Sequence, residues 1–340
     1  MLFILGRGFD PRMCVGAEAL LRLGGEGRRD VLAIEYHEGG ASPSRIHAAL
    51  VAENWTRLES ALAGRAELSS QAIQMYSDDG RRVGARSAAA VFQSTDHLRA
   101  YDDILVDISA MPRVVYVPLL AKLMYLVDGW HEPRRRPNLF VLVTENPSLD
   151  ASIVDEGVED VAGYIHPFSG SLEREATAGQ PKIWIPLLGE RQGPQLERIH
   201  DLVIPDEICP VLPSPSRNPR RGDNLVLEHR YILFDRLRVE PQNFIYAAEW
   251  NPFEVYRQVR RTIFQYRDAL TPIGGCKVAL SALSTKLMSV GALLVAYELK
   301  QLGMDVALVH VESQGYVMGE HVAQQSEVFC AWVAGDCYEP

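Results

Sequence analysis

Asp107-Ile108-Ser109-Ala110-Met111-Pro112-Arg113 ends one apolar run and opens a long apolar segment, and Leu280-Ser281-Ala282-Leu283-Ser284-Thr285-Lys286 does the same near the other end of the chain. Each of these polar turns is followed, one helix length later, by a further short apolar run, at 139–144 and 306–311. A short run, a turn, an apolar periodic segment and a second short run make a βαβ unit, which needs parallel strands. Working outward, short apolar runs predict strands at 1–5, 31–36, 104–108, 139–144, 182–185, 244–248, 277–280 and 306–311. Apolar residues spaced by three and four predict helices at 11–23, 44–63, 113–128, 194–202, 252–270 and 286–302. The predicted fold class is α/β: Rossmann-like, mainly parallel sheets with flanking helices, arranged as two pseudo-duplicated lobes. A second matched pair supports the duplication. Gly8-Phe9-Asp10-Pro11-Arg12 and Glu249-Trp250-Asn251-Pro252-Phe253 each set an aromatic, an Asx and a proline after a strand, a good helix start.

Composition narrows the class. Of 340 residues, 47% are hydrophobic and 23% charged, which excludes disorder and fibrous architecture. A formal charge of -10 argues against nucleic-acid binding over the whole surface. One local exception is the stretch holding Arg217, Arg220, Arg221, His229 and Arg230. Five prolines between Pro205 and Arg221 lead us to expect neither helix nor central strand there, and a functional loop or linker instead. The expected domains are therefore an N-terminal lobe at 1–190, a connecting segment at 191–235 and a C-terminal lobe at 236–340. No apolar stretch has the length to span a bilayer. The N-terminus lacks a basic leader and cleavage site, so a cytoplasmic protein is expected. Five scattered cysteines without a CxxC pair suggest neither a disulfide framework nor a metal site.

Three turns carry candidate ligand residues. Gly6, Arg7, Gly8, Asp10 and Arg12 combine backbone access, a helix start and two cations suited to phosphate. The same residues also suit a plain tight turn. The third glycine of a dinucleotide fingerprint is missing, and only Glu35 could serve as the acid at the end of a second strand. Asp107, Ser109 and Arg113 occupy a strand end where a sugar and a phosphate can bind, or where the acid and the arginine simply pair. Ser281, Ser284, Thr285 and Lys286 place hydroxyls and a lysine at a helix start, without the order of a P-loop. Glu145 and Glu312 put carboxylates after matching strands.

The stretch from Leu283 to Ala292 resembles the motif of CRISPR-associated Rossmann-fold (CARF) nucleotide-sensing domains, a strand, a Gly-Gly-Thr-Lys turn and a helix with Met and Gly-Ala. Thr285, Lys286, Met288, Gly291 and Ala292 match it, while Leu283-Ser284 replaces the glycine pair. The likeness covers only Lys277 to Val309. It implies a nucleotide or phosphorylated small ligand, no other cofactor being indicated, and a sensor or accessory subunit of a prokaryotic defence system that works with a protein partner or as a homodimer. Nucleic acid enters only through the local basic loop. The rival reading is a nucleotide-processing enzyme using Asp10, Asp107 and Glu145 or Glu312 for phosphoryl or glycosyl transfer. A third is a structural subunit docked through the basic loop.

Overall fold

A computed structural model describes residues 1–24, 27–39, 43–131, 135–155, 157–170, 172, 179–304, 306–319 and 326–338. The chain forms two compact units, Met1–Glu156 with Gly315–Pro340, and Gly157–Gln314. Both are α/β and Rossmann-like, as the alternating runs predict.

In chain order the first unit contributes β1 (Leu2–Arg7), α1 (Arg12–Leu23), β2 (Asp30–His37), α2 (Ala48–Leu62), β3 (Glu67–Gln74), α3 (Gly84–Ala89), β4 (Asp103–Asp107), α4 (Arg113–Asp128), β5 (Asn138–Glu145), α5 (Pro147–Ser152) and β6 (Ile153–Asp155). The second holds β7 (Gly163–Tyr164), β8 (Lys182–Leu187), α6 (Gly193–Val203), β9 (Glu207–Ile208), β10 (Val211–Pro213), α7 (Arg221–Glu228), β11 (Ile245–Ala247), α8 (Pro252–Leu270), β12 (Lys277–Ala282), α9 (Lys286–Gln301) and β13 (Val306–His310). The chain then returns to the first unit with β14 (Tyr316–Met318) and β15 (Glu327–Ala334).

The first sheet runs β15-β5-β4-β1-β2-β3, parallel except for β15 against β5. The second runs β11-β10-β8-β12-β13-β7, parallel except for β7 against β13, with β9 beside β8. The two orders are the same pattern. β8 stands where β1 stands, β12 where β4 stands and β13 where β5 stands. Hence the turns after β4 and β12 are true counterparts, as their sequences suggest. The other expected pair is not: Asn251-Pro252 follows the edge strand β11, and the counterpart of the turn after β1 is the one after β8, Leu188 to Gln192. Common helix-start chemistry produced the false match, since Asn251 caps α8 by accepting from Phe253 N and Glu254 N at 3.1 and 3.3 Å.

The compact units do not follow the boundaries expected at 190 and 235. Segment 191–235 holds α6, β9, β10 and α7 inside the second unit, and β8 is that unit's central strand. The proline-rich span also contains a central strand after all. β10 sits between β8 and β11, and it tolerates its prolines because they lie at its margins and serve as acceptors; Ile245 N donates to Pro210 O at 2.8 Å. A three-residue strand needs few donors.

Each core is built the same way. β1 buries Leu2 to Leu5, β8 buries Ile183 to Leu187, and each such fully buried large side chain contributes roughly 1.5–3 kcal/mol. The helices α4 and α9 are buried nearly all round. A helix apolar on every side must be covered on its outer face as well, and α8 covers α9: a Cβ at Gly291 would lie 2.6 Å from Pro252 O. Polar β3, mostly exposed at the sheet edge, carried too little apolar signal to be read as a strand.

The tightest approach in the second unit joins two turns. A Cβ at Gly189 would stand 2.1 Å from Leu283 O. Gly189→Ala is therefore expected to destabilise by about 1–3 kcal/mol. Gly163→Ala, which meets nothing within 4 Å, is expected to stay within about 0.5 kcal/mol. Urea unfolding midpoints check both.

Candidate functional site

In an open parallel sheet, ligands bind outside the carboxyl ends of the strands where the strand order reverses. In the first unit that point lies between β1 and β4, and in the second between β8 and β12. The candidate residues fall on these two edges. Gly6, Arg7, Gly8, Asp10, Arg12, Asp107, Ser109 and Arg113 share the first edge, and Ser281, Ser284, Thr285 and Lys286 lie on the second.

At the first edge the turns touch: a Cβ at Gly8 would lie 3.6 Å from Ala110 O. Gly6 is small for an internal reason, because a Cβ there would meet Tyr36 Oη at 2.0 Å. Burial of that hydroxyl, with Glu38 and Asp107 nearby, pushes the Tyr36 pKa well up. Arg7 pairs with Glu35 and lies 4.2 Å over the Trp55 ring. Burial raises the Glu35 pKa, but hydrogen bonds from Arg7 and Ser70 outweigh it and leave the carboxyl lowered. The acid considered for a ribose is thus engaged by the arginine considered for a phosphate.

Arg12 is also engaged. Its Nη2 donates to Asp10 Oδ2 at 2.7 Å, its Nε to Asp10 Oδ1 at 3.0 Å, and its Nη1 to Asp150 Oδ1 at 2.7 Å. Burial by itself lowers the Arg12 pKa, while Asp10 and Asp150 raise it further than burial lowers it. Asp107 and Ser109 are buried in a backbone network: Asp107 Oδ1 accepts from Ser109 N at 2.9 Å, and Ser109 Oγ from Thr144 N at 2.7 Å. A Cβ at Gly16 would lie 2.1 Å from Asp107 Oδ2, so α1 closes over the carboxylate. Arg113 opens α4, half-buried.

Two residues of this edge carried no sequence signal. Asn54 of α2 donates to the carbonyls of Gly8 and Phe9 at 3.2 and 2.8 Å, holding the turn after β1. The His47 ring stacks on Phe9 at 4.2 Å, with Nε2 2.7 Å from Tyr316 O. Both reach the turn from a distant helix, and spacing along the chain does not encode such a meeting.

At the second edge, Thr285 caps α9, its Oγ1 accepting from Met288 N at 3.3 Å. Ser284 Oγ donates to Met288 Sδ at 3.1 Å, and buried Ser281 accepts from Trp184 Nε1 at 3.0 Å. Lys286, half-buried, is the first residue of α9. The close approach that a glycine on this turn would allow is made from the facing turn, by Gly189 against Leu283. Gly189 O lies 2.8 Å from His229 Nε2.

Around this turn Arg221, at the start of α7, donates to both oxygens of Glu190 at 2.7 Å and pairs with Glu249. Carboxylates from the turns after β8 and β11 are thereby tied to one guanidinium. On α8, Tyr256 Oη donates to Glu298 at 2.6 Å, Arg260 Nε to the same oxygen at 3.0 Å, and Arg260 covers Phe264 at 4.6 Å. Burial and Glu298 push the Tyr256 pKa up to about 12. Glu145 ends β5, in register with Glu327, and Glu312 lies beyond the end of β13, its carbonyl accepting from Glu159 N at 2.9 Å. Among the described residues no group of three His, Cys, Asp or Glu is placed to hold a metal ion, and no helix is long and apolar enough to cross a membrane.

The sequence matches no protein-family profile and no curated protein. Among solved structures, a Type III CRISPR defence DNA nuclease activated by cyclic oligoadenylate is similar at 10% identity with a TM-score of 0.47, over 85% of this chain and 62% of that one. The chain thus spans less than two thirds of the nuclease. The cytoplasmic domain of a prokaryotic cation chloride cotransporter is similar at 11% identity with a TM-score of 0.25, over 92% and 95%. At these identities and scores the likenesses carry no functional argument.

Two outcomes follow from the ion pairs. Arg12→Met strands buried Asp10 and is expected to destabilise by about 3 kcal/mol or more, with Asp10→Asn in the same chain recovering part of the loss, as read by urea unfolding. Burial raises the Glu190 pKa, but the Arg221 hydrogen bonds outweigh it and leave it below the usual 4.5. A depressed carboxyl contributes stability above its unfolded pKa and loses it as pH falls through the folded one. Carboxyl NMR titration is expected to place Glu190 below 4.5 in the parent and to move it upward in Arg221→Met.

Proposed function

We propose that the chain binds a nucleotide or a phosphorylated small ligand, and that Ser284, Thr285 and Lys286 on the second unit's sheet edge anchor its phosphate. The observation that carries this reading is the position of Lys286. It begins a long buried helix at a strand-order reversal, where the helix start and the lysine both favour an anion. The resemblance of Thr285-Lys286, Met288 and Gly291-Ala292 to the CARF motif points the same way, toward a sensor or accessory subunit in a prokaryotic defence system. On the first edge Arg7 and Arg12 already neutralise Glu35, Asp10 and Asp150. A phosphate there competes with internal carboxylates. Asp107 and Ser109 position the first edge's backbone in this reading.

A sensor of this kind holds its ligand without consuming it and passes the signal to a protein partner or a second copy. Thermal-shift screening against linear and cyclic nucleotides tests the proposal. A ligand at one hundred times its dissociation constant is expected to stabilise by about 2.7 kcal/mol. Lys286→Ala is expected to lose that shift while keeping the unliganded melting temperature, and Arg12→Met to keep the shift at its lower baseline. Recovery of the nucleotide unchanged by chromatography supports a sensor, and its conversion supports an enzyme instead.

A further inference from the structure

The first unit's sheet ends on β3, in unbroken parallel register with β2 from Glu67 to Gln74. The bonds to β2 fall on odd-numbered residues: Glu67 N donates to Arg29 O and Met75 N to His37 O, each at 2.9 Å. The N–H and C=O of one strand residue point the same way, so those of Leu68, Ser70, Ala72 and Gln74 point away from β2, along the open edge. The turn that follows does not cover them. It folds back on the β2 side, with Val83 N donating to Met75 O at 2.9 Å and Ser77 N to Arg81 O at 2.8 Å. Ser70, Gln71, Ala72 and Gln74 are exposed.

Proteins blunt such edges with short strands, bulges, prolines or charges, because a free edge is a template for another strand. The other three edges of the two sheets follow that rule. β11 has three residues, β7 has two, and β15 has a register shift between Trp332 and Ala334. β3 has none of these devices. Its one charge, Glu67, is its first residue and pairs with Arg28 at 3.4 Å.

The open edge is complementary to itself. Residues 68, 70, 72 and 74 are symmetric about 71, so two copies of β3 running antiparallel about a two-fold axis at Gln71 satisfy every outward group. Leu68 then exchanges both bonds with the partner's Gln74, and Ser70 with the partner's Ala72. Opposed residues also share a face of the sheet, as the pleat requires. No like charges oppose one another along the pair. Just beyond the strand ends the axis brings Arg65 toward the partner's Asp78; both are exposed, and neither forms an ion pair among the described residues. We infer that β3 pairs with β3 of a second copy, joining two six-stranded sheets into one continuous sheet. A strand from a different protein would need neither the symmetry about Gln71 nor the match of Arg65 with Asp78.

Light scattering of the full chain over a concentration series, with cysteine cross-linking, tests this. The parent is expected to form a dimer. At the axis Gln71 faces its own copy with the Cα atoms about 4.5 Å apart, within disulfide reach, so Gln71→Cys is expected to give a covalent dimer on mild oxidation. Gln74→Cys faces the partner's Leu68 instead and is expected to cross-link no more than the parent, which sets the baseline for its exposed Cys330 and Cys337. Ala72→Pro removes an outward N–H and is expected to be monomeric at the parent melting temperature. Arg65→Glu is expected to weaken the dimer about three- to tenfold, and Arg65→Glu/Asp78→Arg to restore it. Lys286→Ala is expected to dimerise as the parent does, which separates this edge from the ligand anchor. A parent that stays monomeric throughout, equal cross-linking by Gln71→Cys and Gln74→Cys, or a dimer of unchanged strength in Ala72→Pro overturns the inference.

Discussion

A parallel sheet whose strand order reverses around its first strand sends two turns out side by side at its carboxyl edge, and in both units here the two turns come into contact. In the second unit that meeting is Gly189 against the Leu283 carbonyl. In the first it is the turn after β1 against the turn after β4, with Gly8 facing Ala110 and Gly6 leaving room for Tyr36 and Met111. Only the second-unit contact excludes a side chain, a Cβ at Gly8 making an ordinary contact. The turns open α4 at Arg113 and α9 at Lys286.

Around this contact each edge ties an arginine to carboxylates. The first encloses its cations, with Arg12 held by two aspartates and Arg7 set between Glu35 and Trp55. Its charges work as internal ties, and Asn54 and His47 brace the same turn from α2 and the residue before it. The second ties Arg221 to Glu190 and Glu249 but leaves Arg220, Arg230 and Arg238 exposed. A duplicated topology thus supports two differently charged surfaces, because the sheet order is set by apolar strands while the turns are free to vary.

The Arg221 clamp joins two elements of the second unit. Glu190 follows the strand next to the Lys286 turn, and Arg221 begins α7. A bidentate carboxylate and guanidinium pair adds geometric specificity as well as energy.

The sequence by itself determined the α/β class, the eight apolar strands, the six long helices and the kinship of the turns after β4 and β12, since apolar period and turn chemistry are local and survive without neighbours. It also located the polar turns where both candidate edges lie. Tertiary structure alone decided which strand is whose neighbour. It made β10 a central strand despite its prolines, moved β8 into the second unit, returned 315–340 to the first and replaced Asn251's turn with Gly189's as the counterpart of the first. It alone showed that Arg7 is held by Glu35, Arg12 by Asp10 and Asp150, and that Asp107 and Ser109 accept from backbone amides. Pairing across a hundred or more residues is a property of the assembled sheets and buried charge, and neither leaves a period in the chain.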